Sequence, residues 1–405
     1  MALSWWMLEP VDVLAFRGNR GFGQSSELAE TALLPRPSVL TGALRSALLV
    51  RLAEQDQRRF LRDEPITHPI GAAIGTARRF GTLRVAWASL GRRSGAGEAE
   101  PLVPLPLDLA VAVDDPGGGR AEVLRLREVG QEADTVLRRR WGSTLAEGLR
   151  PLVVPGARVK QPAGCWLTGT GWQAWLAGRE VPRGALLTAA QMEALAGVEA
   201  RVGIALDRRS RRAQESRLYV SQYVRFREGV GILVGLAGLP EPGEGQLDGT
   251  LVRLGGDGRA ARLRSVRCPS LEAPTLPEEP ASMSLVAVTP GVFRRGWLPD
   301  GVDRDPVEGG WVLAWGGLRA RLRAAAVGAA EVVTGWSMSE GRPKAIAAAV
   351  PPGSVWRFEL ESGSREDLER LAGALRERSV GEVLTGRPGS RDGEGFSSCW
   401  LAGVG

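Results

Sequence analysis

Short strand-like segments separated by glycine and proline turns run along the whole chain, and they constrain its fold more than any other feature. Apolar stretches of this length are typical of β-strands, and 54 glycines and 26 prolines among 405 residues supply the turns. The pattern predicts an α+β fold with mostly antiparallel sheets, and it permits a tandem βαββαβ arrangement. The predicted strands are Leu3–Phe16, Thr82–Leu90, Leu102–Val113, Val123–Val129, Arg201–Asp207, Leu218–Arg227, Gly231–Leu239, Gly249–Leu254, Ala261–Val266, Ser284–Phe293, Trp311–Trp315 and Val355–Leu360.

Few segments have the apolar period of a helix. The predicted helices are Pro37–Ala53, Trp172–Ala177, Ala189–Ala196 and Glu366–Glu377. A chain of 405 residues exceeds one ordinary domain, so two domains are expected. We place their boundary near Pro182, which gives an N-terminal domain at 1–182 and a C-terminal domain at 183–405.

The chain is basic, with a formal net charge of +6 and a pI of about 9.9. Arginine carries almost all of the positive charge, because Lys160 and Lys344 are the only lysines. The planar guanidinium suits phosphate oxygens and stacks on bases, which favours a nucleic-acid partner. A GC-rich genome that replaces lysine by arginine explains the same composition equally well.

The three cysteines predict neither a disulfide framework nor a zinc site. Cys165, Cys268 and Cys399 are far apart and have no CxxC spacing. The N-terminus lacks the basic segment of a signal peptide, and no apolar run reaches the roughly 20 residues needed to span a bilayer. These features predict a cytoplasmic protein without membrane contact.

Residues for the common catalytic sites are scarce. His68 is the only histidine, and it lies in a proline-flanked loop. No GxxxxGK[ST] or GxGxxG motif occurs, and the adjacent carboxylates Asp114 and Asp115 would face opposite ways on a strand. The sequence therefore predicts no catalytic residue, no metal site and no cofactor.

One face of the first predicted helix has the character of an anion site. Ser38, Thr41, Gly42 and Arg45 are spaced i, i+3, i+4 and i+7, so they share a face away from the leucine stripe. The N-terminus of this helix offers unpaired N–H groups to an anion. The alternative is that Ser38 caps the helix and Arg45 is simply solvated.

Three further segments are rich in cations. Arg17-Gly18-Asn19-Arg20-Gly21-Phe22-Gly23 is a glycine-rich basic loop whose N–H groups could approach phosphates, and 208–212 is an exposed arginine-rich connection. Trp336 with Arg342 and Lys344 suits base stacking plus phosphate contact. Plain surface loops, and a core position for Trp336, are the alternatives.

Several segments resemble motifs of a known family in order and spacing. They are Leu34–Arg45, Arg201–Asp207 with Gln214–Tyr219, Gly335–Trp336 with Gly341–Lys344, Val350–Val355, and Gly393–Phe396. The first is similar to the first-helix motif of CRISPR repeat-associated (RAMP) proteins. The middle segments are similar to the third subunit of the type III-B Cmr complex, and the last resembles the glycine-rich closing loop of RAMP proteins.

The resemblance implies two tandem ferredoxin-like (RRM-like) RAMP domains with glycine-rich loops and insertions. It implies binding of the 5′ tag of the crRNA and docking to the large palm-domain subunit and to backbone RAMP subunits, while other subunits cleave the target. The residues expected to contact RNA are Arg17, Gly18, Arg20, Gly21, Arg36, Ser38, Thr41, Gly42, Arg45, Arg208, Arg209, Arg211, Arg212, Trp336, Arg342, Lys344, Gly393 and Gly395.

Two other functions stay open. A RAMP-type endoribonuclease that processes precursor crRNA would need His68 as its acid or base. A protein-only scaffold would use its arginines against acidic surfaces of partner subunits.

Overall fold

A computed structural model describes most of the chain. The described residues are 3–16, 28–29, 32–112, 122–129, 148–154, 159–160, 162–207, 209–240, 245, 247–273 and 276–403. The predicted RNA-contacting residues Arg17, Gly18, Arg20, Gly21 and Arg208 lie outside them.

The helices are short and few compared with the strands. Within the described part of the chain the α-helices are α1 (Pro37–Leu49), α2 (Glu54–Leu61), α3 (Ile70–Ile74), α4 (Gly169–Leu176), α5 (Ala189–Leu195), α6 (Arg365–Glu377) and α7 (Val380–Thr385). Single 3₁₀ turns occur at Arg183–Ala185, Pro269–Leu271 and Asp392–Glu394.

Local sequence explains where the two longest helices begin. Pro37 opens α1, at a position where a helix needs no backbone N–H. Ser364 and Asp367 form a reciprocal capping box at the start of α6, so this predicted helix begins where its sequence directs.

The strands account for most of the ordered structure. In chain order they are β1 (Ser4–Pro10), β2 (Leu28–Ala29), β3 (Arg84–Gly95), β4 (Glu98–Pro104), β5 (Leu109–Ala112), β6 (Val123–Arg125), β7 (Arg127–Glu128), β8 (Leu152–Val153), β9 (Val159–Lys160), β10 (Trp166–Leu167), β11 (Leu186–Leu187), β12 (Ala196–Leu206), β13 (Ala213–Phe226), β14 (Val230–Ala237), β15 (Leu251–Arg253), β16 (Ala260–Ser265), β17 (Ser282–Ala287), β18 (Val302–Arg304), β19 (Trp311–Trp315), β20 (Leu318–Ala326), β21 (Glu331–Val333), β22 (Trp336–Ser337), β23 (Arg342–Pro343), β24 (Ala347–Ala349), β25 (Val355–Ser362) and β26 (Cys399–Gly403).

Two large sheets contain most of these strands. The first has the order β11-β10-β4-β3-β14-β1-β16-β15, and the second has the order β18-β19-β20-β25-β17-β26. Every pairing within both sheets is antiparallel, so the predicted mixed α/β architecture with antiparallel sheets is confirmed. Strand β14 is buried along its whole length, which explains its uninterrupted apolar sequence.

The two sheets share a core. Helix α1 covers one face of the first sheet through Leu40, Leu44 and Leu48. The opposite face packs against the second sheet around Trp87 and Trp400. On the far face of the second sheet, the apolar stripe of α6 joins the core formed by β17, β25 and β26.

The sheets divide the chain later than the predicted domain boundary. Strands β10 and β11 pair with each other across Pro182, and the first sheet continues to Ser265. The second sheet begins at Ser282. Pro182 therefore lies between two paired strands of one sheet. The local sequence does not show where the first sheet ends, because β1 pairs with β14 and β16, which are distant along the chain.

The first predicted strand is shorter than expected. Leu3–Phe16 is predicted as one strand, but β1 ends at Pro10. The chain turns at Val11 and Asp12, and Leu14 then pairs with Val224 of β13 through an isolated bridge. The apolar residues after the turn are buried against a different strand, so the apolar run is continuous although the strand is not.

A long hairpin formed by β12 and β13 departs from the first sheet. It forms a three-stranded sheet with β2, which pairs in parallel with β13. Side chains of β12 alternate in exposure, and one face leaves Val198, Val202, Ile204 and Leu206 exposed.

Among the described residues, no helix has the length and apolar character needed to cross a bilayer.

Candidate nucleic-acid interface

The residues of the predicted anion-binding face of α1 differ in exposure. Thr41 is fully buried, and its hydroxyl donates to the carbonyl oxygen of Glu394 at 3.0 Å. Gly42 is exposed, with open space where a side chain would stand. The N-cap residue is Arg36 rather than Ser38, and no side chain caps the helix. The face therefore has one internal anchor at Thr41 and one open position at Gly42.

Arg45 is held by the protein itself. Its Nε donates to the carbonyl of Ile74 at 2.8 Å, and its Nη2 donates to the carbonyls of Thr76 and Arg79. The guanidinium also lies 4.6 Å from the ring centroid of Phe80, and burial lowers the pKa of Arg45 to about 10. These contacts fix the segment 74–80 against α1, which is a structural role that the helix spacing does not reveal.

Arg36 also has a partner inside the chain. Its Nη1 forms an ion pair with Glu331 of β21, and its Nη2 lies 3.4 Å from the carbonyl of Val332. The ion pair joins the beginning of α1 to a short strand that lies in the chain between β20 and β25 of the second sheet, and both side chains stay partly exposed.

The glycines of the closing loop are required by packing. A Cβ at Gly393 would stand 2.8 Å from the ring of Phe80. Gly395 has a positive φ of 90°, and a Cβ there would lie 3.2 Å from Pro37. The loop therefore lies directly against the beginning of α1 and against the segment that Arg45 holds.

A buried ionic cluster connects this loop to the hairpin of β22 and β23. Nζ of Lys344 lies 2.8 Å from Oε2 of Glu394, and Nη1 of Arg391 lies 3.1 Å from Oε1 of the same carboxylate. Arg391 also donates from Nη2 to the carbonyl of Ala345. Lys344, predicted to contact RNA, is thus the tie between hairpin and loop.

The β22–β23 hairpin presents an aromatic residue and a cation. Trp336 is 55% exposed, so its ring is not a core residue. Arg342, with 72% of its side chain exposed, donates from Nε to Glu340 at 2.8 Å. The hydrogen bond from Arg342 lowers the pKa of Glu340, as do the charges of Arg342, Arg78 and Lys344.

The influence of Arg78 on Glu340 identifies residues that the sequence reasoning missed. Arg78, Arg79 and Phe80 are exposed and lie beside the hairpin and the closing loop. Nη2 of Arg79 lies 3.6 Å from Asp63, while no described residue forms an ion pair with Arg78. The signal was the run Arg78-Arg79-Phe80-Gly81, which has the same basic, aromatic and glycine character as Arg20-Gly21-Phe22-Gly23.

These exposed side chains come from two neighbouring segments, 78–80 and the β22–β23 hairpin. We call Arg78, Arg79, Phe80, Trp336 and Arg342 the cation–aromatic surface. Guanidinium groups beside exposed rings are the combination that single-stranded nucleic acids need, because phosphates contact the cations and bases stack on the rings.

The remaining predicted arginines lie elsewhere. Arg209, Arg211 and Arg212 are exposed in the turn between β12 and β13, which is held by Asp207 accepting from the N–H groups of Arg209 and Ser210. Within the described residues, no side-chain contact links this turn to the cation–aromatic surface. The two basic regions are therefore separate parts of the molecule.

Comparison with known proteins gives the class to which this arrangement belongs. The sequence of the chain matches a family model described as "CRISPR-associated protein (Cas_Cmr3)", which aligns with residues 6–388. The chain belongs to this family, whose members are RAMP-type subunits of the type III-B Cmr complex.

The solved structures that match the chain are distant from it in sequence. A chain of the type III-B Cmr-beta structure bound to cognate target RNA and AMPPnP is 15% identical, with a TM-score of 0.44 over 91% of this chain and 88% of that chain. A chain of the Csm1–Csm4 cassette in complex with pppApA is 12% identical, with a TM-score of 0.31 over 90% of this chain and 88% of that chain. No curated protein sequence matches the chain.

Proposed function

We propose that this protein is a non-catalytic, RNA-binding subunit that holds the single-stranded 5′ tag of the crRNA within the Cmr complex. The observation that carries the proposal is the cation–aromatic surface, in which Arg78 and Arg342 flank Glu340 and Trp336 stands exposed nearby on the same hairpin. Arginines neutralise phosphates, and the exposed rings accept bases that are splayed out of a single strand.

The contacts that hold the cation–aromatic surface in place support the proposal. Thr41, Gly393 and the Lys344–Glu394–Arg391 cluster join α1, the closing loop and the hairpin. Contacts of this kind keep exposed arginines and rings in fixed relative positions before RNA arrives, which lowers the entropy lost on binding.

The absence of a catalytic centre is part of the proposal. Nδ1 of His68 accepts a hydrogen bond from the N–H of Ile70 at 3.2 Å, at the beginning of α3. This contact gives His68 a structural role at the helix start, which supports a binding role over an endoribonuclease.

We infer that each large sheet is built on a ferredoxin-like core. In a βαββαβ unit the strands stand side by side in the order fourth, first, third, second. The runs β16-β1-β14-β3 and β26-β17-β25-β20 have this order, and α1 and α6 follow the first and third strands of their respective units. Residues 96–229 are then one long insertion in the first unit.

In this role the protein contacts the large palm-domain subunit and backbone RAMP subunits in the cytoplasm, as the family resemblance implies. The exposed apolar residues Val198, Val202, Ile204 and Leu206 support such contacts, because contiguous apolar side chains exposed on one strand are typical of a protein–protein interface. The arginine turn at its tip suits an acidic neighbour or RNA backbone.

Direct binding measurements test the RNA-holding role. Fluorescence anisotropy with the 5′ tag of crRNA from the protein's own locus should give a log K that falls with log salt with a slope near −4, if about six phosphates are neutralised. Trp336→Ala should weaken binding roughly 5- to 100-fold, as expected for loss of one stacked base. A flat salt response, or no binding, would favour the protein-only scaffold.

Cleavage is measured on the same samples. Precursor crRNA incubated with the pure protein should stay intact. Products that disappear in the His68→Ala variant would overturn the non-catalytic role, because His68 is the only histidine in the chain.

A further inference from the structure

A cleft between the two large sheets opens beside the beginning of α1. Its volume is about 370 Å³, which is near the lower end of the range of about 300–1,000 Å³ typical of small-molecule sites. The space accommodates one flat ring system rather than a large ligand. Its walls come from the segment before α1, from the first sheet and from the segments after β17 and β24.

The walls of the cleft are almost entirely apolar. Five prolines line it together with Trp166, and most of the exposed lining is carbon. Proline has no N–H group, so these walls offer few hydrogen bonds to a ligand. The prolines are Pro35, Pro37, Pro104, Pro290 and Pro352. An occupant must therefore present apolar faces to them, and any polar groups must lie along its edge.

The polar groups of the cleft are concentrated in one ion pair. Arg36 and Glu331 both line the cleft, and Arg36 contacts Oε2 of Glu331. No described residue donates a hydrogen bond to the other oxygen, Oε1. The pair therefore offers a carboxylate edge that accepts beside a guanidinium that donates, and because it is partly exposed a ligand can join it at little cost.

We propose that this cleft receives one guanine base of the bound RNA and reads it through Arg36 and Glu331. Guanine has two flat faces for the proline walls, N1–H and N2–H₂ donors for one carboxylate, and the O6 acceptor for the guanidinium. Adenine and cytosine offer only one amine donor to the carboxylate, and uracil offers one imide N–H flanked by carbonyls that the carboxylate repels.

The position of the cleft agrees with the path of the strand. Pro37 lines the cleft and also lies against Gly395 of the closing loop, which contacts Phe80 of the cation–aromatic surface through Gly393. The cleft and the cation–aromatic surface are therefore linked by packing contacts, so a strand bound to the surface can reach the mouth of the cleft. The inference rests on the proposed RNA-holding function and adds base selectivity to it.

The test uses oligouridines of eight nucleotides in which a single guanosine is placed at each position in turn, with adenosine at the same positions as comparison. One guanosine position should bind the full-length protein roughly 10- to 100-fold more tightly than its adenosine counterpart. Glu331→Gln, which keeps one acceptor and loses the carboxylate, should abolish this preference without weakening the binding of plain oligouridine. Glu54→Gln is the matched control, since Glu54 pairs with Arg58 on α2 away from the cleft.

The outcomes separate the two proposals. Equal affinity for all the oligonucleotides would overturn the guanine cleft and leave RNA binding intact. A guanosine preference that survives Glu331→Gln would do the same. A protein partner would then be the occupant of the cleft. No binding to any of them would overturn the proposed function itself. Equal melting temperatures for Glu331→Gln and Glu54→Gln would exclude a folding defect as the cause of lost preference.

Discussion

The rings of Trp87 in the first sheet and Trp400 in the second pack with their centroids 4.5 Å apart and their planes inclined at 39°. Trp172 of α4 joins them, with its centroid 5.4 Å from that of Trp87. The guanidinium group of Arg376 lies 4.3 Å from the ring centroid of Trp400. The core between the sheets is therefore built from residues distant in sequence, and each sheet contributes to the burial of the other.

Loss of Trp400 should destabilise both sheets together. Trp400→Ala removes a side chain that is 1% exposed, and substitutions of this kind cost about 3–5 kcal/mol of unfolding free energy. Denaturant titrations followed by far-UV circular dichroism and by tryptophan fluorescence should give coincident transitions, displaced to lower denaturant in the variant. Trp336→Ala, at an exposed position, should change stability by less than about 0.5 kcal/mol. Two well-separated transitions in the wild-type protein would contradict a shared core.

Arg45 should act through the fold rather than as a free phosphate ligand. Arg45→Ala leaves the carbonyls of Ile74 and Thr76 without this donor, while the carbonyl of Arg79 keeps the N–H of Thr76. Each buried carbonyl left unpaired costs about 1–3 kcal/mol. We expect a lower melting temperature and weaker RNA binding, because the segment bearing Arg78 and Phe80 loses its support. Arg58→Ala, at an exposed position on α2, is the control. A variant with an unchanged melting temperature and weak RNA binding would restore the phosphate-ligand role that the helix spacing predicts.

Local sequence signals predicted the elements well, and non-local pairing limited the prediction of the fold. Strand β19 has its predicted bounds, and α6 begins one residue from its predicted start because its capping box is readable in the sequence. The pairing of β1 with β14 and β16 joins residues more than 200 positions apart, and no local pattern specifies such partners. The order of the strands, and therefore the point where the sheets divide, needed the structure.

The sequence predicted which types of residue form the candidate site better than it predicted where they lie. Trp336 and Arg342 are exposed, as a stacking and phosphate-binding pair requires. Gly393 was expected to close over RNA, but its position is explained by contact with Phe80, which no sequence pattern reveals. Arg78 was missed because its importance comes from its position beside Glu340, across more than 250 residues.

The buried carboxyl group of Asp392 should make stability depend on pH. Burial raises the pKa of Asp392 above its ordinary value of 3.8, against hydrogen bonds from Ser379 and Gly389 that lower it, and Asp300 nearby raises it further. Because the folded state binds the proton more tightly, the stability from the protonated carboxyl is complete below about pH 4 and is lost as pH rises through the raised pKa.

Asp392→Asn removes this titration while keeping the shape of the side chain. The melting temperatures of variant and wild type should agree near pH 4, and the variant should melt higher at pH 7. Asp63→Asn is the opposite control: a hydrogen bond from Thr76 is the main cause that lowers the pKa of Asp63, so this variant should be less stable at pH 7. A lower melting temperature for Asp392→Asn at pH 7 would show that the carboxylate is stabilised in the fold.

The salt dependence of RNA binding should report on Arg342 directly. Arg342→Ala removes one cation from the cation–aromatic surface, so the slope of log K against log salt should become less steep by about 0.7 for a single strand. The side chain is 72% exposed and its ion pair with Glu340 is local, so stability should change by less than about 0.5 kcal/mol.

Glu340→Gln should strengthen binding of all sequences, because it removes the anion that competes with phosphate for Arg342. Arg365→Ala on α6, whose arginine pairs with Glu369 in a similarly exposed setting, should leave the slope unchanged. If Arg342→Ala and Arg365→Ala give the same slope as the wild type, the strand does not pass over this surface.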